Sequence, residues 1–163
     1  MTTYAVSVSQ HPQLRLFGIS VRTSMSNASA DCLRLWEHVF GPRMHEISGK
    51  KPDAYHGPSY GISIMLDERH FEYWAAMPVS EGLAQLKDMR RIELPAGLYA
   101  GCVVPSLAQL GEAYTYLYES WPKTMTEYGA NMQAPCFEYY DGRYRESGAF
   151  EIHVPVLKNS AGL

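Results

Sequence analysis

The apolar positions change period twice along the first half of the chain. In Leu14–Thr23 they nearly alternate with polar ones, the two-residue repeat of a strand with one covered face. Ala30, Leu33, Trp36, Val39 and Phe40 then recur at three- and four-residue spacing, which predicts a helix with one apolar stripe, stopped by Gly41-Pro42. Gly49–Ser59 is rich in Gly, Pro and Lys and reads as a loop. Two strands follow, Tyr60–Leu66 and His70–Val79, joined by the polar turn Asp67-Glu68-Arg69.

The second half repeats this order. Arg91–Val104 reads as a strand, bent or bulged near Pro95-Ala96-Gly97. Pro105-Ser106 opens a helix in which Ser106 and Gln109 fit a capping box. Leu110, Tyr114, Leu117 and Trp121 form its stripe, and Pro122 ends it. The strands Pro135–Arg143 and Gly148–Val156 follow, linked by a polar loop at Tyr144–Ser147. The wording repeats as well, with HFEYWAAMPV in one half and AFEIHVPV in the other.

The expected fold is therefore α+β: two strand-helix-strand-strand units forming a pseudo-twofold antiparallel sheet, with helices on one face and a ligand cleft on the other. The boundaries are one domain over residues 1–163, with repeats at about 14–80 and 91–158. The first expected strand starts at Leu14, so no DNA-binding segment is expected ahead of it.

Because side chains alternate across a strand, parity assigns each residue to a face. In the last strand Phe150, Ile152, Val154 and Val156 share the apolar side, which leaves Glu151 and His153 opposite. Pairing Phe137 with the core side puts Glu138 and Tyr140 beside Glu151 and His153. By the same logic Phe71, Tyr73, Ala75 and Met77 point to the core, leaving Glu72 and Trp74 on the other face with Met65. Any one of these acids alone reads as part of a solvated sheet face. Together with Tyr, Trp and His they offer charge, ring faces and hydrogen bonds, the chemistry for holding cationic or polycyclic aromatic ligands.

Composition narrows the alternatives. Apolar residues make up 46% of the 163 and charged ones 19%, enough for a folded core. The net charge of −3, with no basic run longer than a pair, argues against nucleic acid as a direct partner. The apolar stretches fall short of a bilayer span and no signal peptide is visible, so the chain is expected in the cytoplasm. Cys32, Cys102 and Cys136 are scattered and read as reduced thiols. The six His make no ligating spacing, so neither a metal nor a cofactor is expected. Haem lacks an identifiable axial ligand, although His153 would be the first residue to test for one. Serine-hydrolase and nucleotide-binding motifs are absent.

The order of elements, and above all PCFEYYDGRYRESGAFEIHVPV from Pro135 to Val156, resembles the GyrI-like small-molecule-binding family. That family includes the effector-binding domains of AraC-type and MerR-type multidrug-responsive transcription regulators, and stand-alone gyrase-inhibitory proteins. The resemblance covers about Leu14 to Lys158. It implies that Glu138 is the cleft carboxylate that meets the ligand and that Glu151 matches a second acid. It also sets His153 where the family has an aromatic residue. Trp74 is carried into the cleft by parity and the repeat. The implied function is binding of a cationic or amphipathic aromatic compound, to sense or sequester it. The resemblance also implies two alternatives: a hydrolase of strained electrophilic natural products, with Glu138 activating water and Tyr140 assisting, or a protein that contacts DNA gyrase or a separate regulator.

Overall fold

The computed structural model describes residues 2–49, 57–78 and 86–159. Nine strands lie among the described residues: β1 (Ser7–His11), β2 (Leu14–Ser24), β3 (Ser59–Met65), β4 (His70–Pro78), β5 (Arg90–Leu94), β6 (Gly97–Val104), β7 (Tyr128–Ala130), β8 (Cys136–Tyr140) and β9 (Phe150–Lys158). The short α-helices are α1 (Ala28–Arg34), α2 (Met44–Ser48), α3 (Leu110–Thr115), α4 (Trp121–Thr124) and α5 (Gly142–Ser147). They belong to two compact units, Leu14–Leu94 and Met1–Gln13 together with Pro95–Leu163.

In the Leu14–Leu94 unit the strands run β3-β4-β2-β5, each pair antiparallel. One face of this sheet is covered by helix. Phe17, Phe71, Tyr73, Ala75 and Met77 of the strands pack with Leu35, Phe40, Ile47 and Met89. The helical stripe differs from the one expected. Helix α1 passes into a π turn over Leu35–Phe40, and five-residue hydrogen bonding rotates the later side chains. Leu35 is buried while Leu33, expected in the stripe, is exposed, because the face against the sheet runs from Ala28 and Cys32 rather than from Ala30. Nor does Gly41-Pro42 stop the helix, because the chain continues through a 3-10 turn, Gly41–Arg43, into α2. Strand β4 matches its expected range up to Pro78. Val79 lies outside the described residues, as does most of the expected Gly49–Ser59 loop.

The second unit is ordered β1-β6-β9-β8, with β7 also pairing β9. Phe150, Ile152, Val154 and Val156 are buried on one side of β9, as their alternation predicts, against Ala113, Leu117 and Trp121 of the helices. Burying each such aliphatic or aromatic side chain stabilises the fold by about 1.5–3 kcal/mol.

Three local readings need correction. Arg91–Val104 is two strands, because Pro95 has no N–H to give a ladder, so β5 ends on β2 and β6 starts anew between β1 and β9. The Ser106–Gln109 capping box does not form: the Ser106 side chain makes no cap bond, and the Gln109 side chain accepts instead from Tyr4 Oη at 3.1 Å. The loop expected at Tyr144–Ser147 is helix α5, capped by the Asp141 side chain, which accepts from the Arg143 N–H. No helix of the described residues is long and apolar enough to cross a membrane.

Candidate functional site

The register between β8 and β9 separates the candidate residues into two groups. Phe137 pairs with His153, Glu138 with Ile152 and Tyr139 with Glu151. Directly paired residues share a face, so Glu138 and Tyr140 lie on the helix-covered side with Ile152 and Phe150. The expectation that they stand beside Glu151 and His153 is wrong by one residue of register. That slip transfers a whole strand's side chains to the opposite face.

On the helix side, Glu138 is buried, at 5% exposure. Tyr140 Oη donates to its Oε1 at 2.7 Å. The Tyr140 ring stacks on Phe150, with centroids 5.1 Å apart, and meets the Tyr144 ring edge-on at 5.2 Å. Helix α5 supplies Tyr144, which also meets Phe150 edge-on. On the same face, two residues before Glu138, stands Cys136. Burial first, and then the Glu138 charge, push that thiol above its ordinary range. The result is a carboxylate among tyrosines, in an environment of low dielectric where charge interactions are strong.

The opposite face of β9 carries a different constellation. Glu151 accepts from Arg143, also held by Asp141, and is hydrogen-bonded to His153 Nε2 at 2.8 Å. Burial pushes the Glu151 carboxyl up, but the bonds and charges of Arg143 and His153 outweigh it and hold it below the ordinary carboxylate range. His153 stacks on Phe137 at 4.9 Å and meets His11 edge-on at 4.9 Å. Its pKa is lowered by burial, against the pull of Glu151. With a neutral ring donating through Nε2, Nδ1 is a bare acceptor, and it is buried without a hydrogen-bond partner beside Gly101.

In the Leu14–Leu94 unit, Glu72 and Trp74 share a face as parity requires, and Trp74 Nε1–H donates to Glu72 Oε1 at 2.5 Å. Met65 is not with them. It pairs with Phe71 on the helix-covered side and is 51% exposed, because Ile62 and Ile64 are the residues paired with Trp74 and Glu72. Sequence reasoning missed Arg143, His11, Tyr144 and Arg90. Arg143 follows Asp141-Gly142 in a stretch read as strand and polar loop, and nothing in the alternation singles out the other three. Among the described residues no group of three or more His, Cys, Asp or Glu could hold a metal ion.

Comparison with known proteins fits this architecture. The family model described as "integron-associated effector binding protein" matches residues 7–156. The transcriptional regulator BrlR of Pseudomonas aeruginosa is 34% identical over 131 residues, covering 76% of this chain; the chain spans 45% of that regulator's length. Among solved structures, SAV2435 bound to tetraphenylphosphonium superposes with a TM-score of 0.67 at 16% identity, over 96% of this chain and 94% of that one. An integron cassette protein of Vibrio cholerae gives a TM-score of 0.64 at 17% identity, over 93% and 95%. These likenesses bear out a GyrI-like effector-binding fold, and a match spanning nearly every described strand places the chain in the family of integron-associated effector binding proteins.

Proposed function

We propose that this chain binds a cationic aromatic compound at Glu138, to sense or sequester it. One observation carries the reading: a carboxylate buried on the helix side, held by the Tyr140 hydroxyl and walled by the rings of Tyr140, Tyr144 and Phe150. Keeping a carboxylate charged in such a place is costly. A bulky organic cation with delocalised charge gives up little hydration to enter, then gains the carboxylate and the ring faces together. That SAV2435 is bound to tetraphenylphosphonium in its structure supports the choice of ligand class. The regulator BrlR supports a sensing context.

Glu151 and His153 have a supporting role in this reading, since they face away from Glu138 and are committed to Arg143 and to each other. The test is calorimetric titration with tetraphenylphosphonium and ethidium. Glu138→Gln keeps the shape and removes the charge, and is expected to weaken binding about tenfold or more, in line with ~1.5–3 kcal/mol for a charged partner. Unchanged affinity in that variant removes Glu138 from the site. Conversion of a strained electrophile over many turnovers to a product carrying one added water would replace binding with hydrolysis.

A further inference from the structure

The face of the Trp74 indole already holds a cation. The Arg90 guanidinium lies over it, 4.8 Å from the ring centroid, and its Nη2 donates to Ser20 Oγ at 2.8 Å. Register explains the placement. Ser20 is the cross-strand neighbour of Trp74 between β2 and β4, and Arg90 of β5 sits opposite Gly18 on the other edge of β2. Gly18 has no side chain to obstruct an arginine reaching diagonally across β2. Glu72 fixes the indole from its edge through the Nε1–H bond. Arg22 stands opposite Glu72 on β2.

A cation on a ring face with a carboxylate at the ring edge is the arrangement an organic cation would adopt here. The two partners differ in burial: Trp74 is 5% exposed, whereas Arg90 is an exposed side chain. Guanidinium is bulky, planar and weakly hydrated, so it resembles an aromatic cation more than an ammonium does. At an exposed site its hold on the ring is weak, and its Nη2 bonds a neutral hydroxyl, Ser20 Oγ.

We propose that Trp74 and Glu72 form a second cation subsite, within the Leu14–Leu94 unit, which Arg90 occupies as a built-in competitor that aromatic organic cations displace. This inference rests on the reading that the chain binds such cations, but not on the role of Glu138. Occupancy by Arg90 makes the subsite selective. Small, well-hydrated cations such as ammonium gain too little from the ring to expel the guanidinium, and large delocalised ones gain enough.

The test is calorimetric titration of the full chain with tetraphenylphosphonium, comparing wild type, Arg90→Ala and Glu138→Gln. Removing an exposed side chain spares the core, and freeing the ring is expected to tighten binding about two- to fivefold, the strength of an exposed cation–π contact. The gain should persist in about 0.5 M salt, because contact over a ring is screened less than charge repulsion at a distance. It should also vanish when Trp74→Leu is added. An unchanged dissociation constant in Arg90→Ala overturns the proposal, as does a gain abolished by salt or retained without Trp74. If Arg90→Ala has no effect while Glu138→Gln abolishes binding, only this inference fails. If Arg90→Ala tightens binding and Glu138→Gln leaves it intact, the Glu138 reading fails and the subsite stands. No binding to any of the three proteins sinks both.

Discussion

Gly101→Ala is a one-atom perturbation with a calculable effect. Gly101 of β6 pairs directly with His153 of β9, so a side chain there projects at the imidazole. A Cβ would lie 2.4 Å from Nδ1 and 2.6 Å from Cε1, inside any real contact distance. The ring has no easy retreat, with Phe137 stacked on it and His11 against it. Moving it breaks the bond from Nε2 to Glu151, worth ~1.5–3 kcal/mol for a charged acceptor. Overpacking adds ~1–3 kcal/mol, and the reduced entropy of the unfolded chain returns ~0.4–1 kcal/mol. The net loss is about 2–5 kcal/mol, a fall in Tm of roughly 5–15 °C for a chain of this size. Urea denaturation with matched m-values measures it directly. In a His153→Ala background the substitution meets no ring and should cost little. A Gly101→Ala protein that melts with wild type, or one equally damaged in both backgrounds, would refute the wedge.

Two further outcomes follow from the same network and its neighbour. The native His153 pKa lies below its unfolded value of about 6.5, chiefly through burial, so the unfolded chain binds more protons. Stability is then full above about pH 6.5 and declines as pH drops through that value towards the native one, and His11, shifted the same way, adds to the decline. Urea midpoints across this range should flatten in His153→Gln, and an unaltered slope assigns the dependence elsewhere. Tyr140→Phe removes the donor at 2.7 Å from a buried carboxylate and should cost about 1–3 kcal/mol by denaturant midpoint. No shift in that midpoint would mean that the bond contributes nothing to stability.

Much of the fold was legible because alternation and helical spacing report burial directly. Strands β2, β3, β4 and β9 came from period alone, and the apolar face of β9 was assigned correctly. Strand β1 was missed because Ser7, Ser9 and Gln10 carry no apolar alternation strong enough to announce an edge strand. The π turn escaped because its register shift leaves no mark on composition, and Leu33 stood in for Leu35 because the stripe was counted from Ala30 rather than from Ala28 and Cys32. The candidate site was legible in identity but not in grouping. Parity within one strand is reliable, but pairing parity between β8 and β9 depends on a register that the connecting helix α5 sets. The same one-residue uncertainty misplaced Met65 relative to Trp74.

The interrupted unit has a kinetic consequence. Strand β1 must find β6, with the whole Leu14–Leu94 segment intervening in sequence, and a flexible loop of that length is entropically slow to close. The segment removes this obstacle itself, because its first and last residues, Leu14 and Leu94, pair across β2 and β5. Once that pairing zips, Gln13 and Pro95 emerge side by side and deliver His11 to Gly97 already in register. This closure favours assembly from the inside of the chain outward, and a lesion that frays Leu14–Leu94 is expected to slow the pairing of strands it never touches.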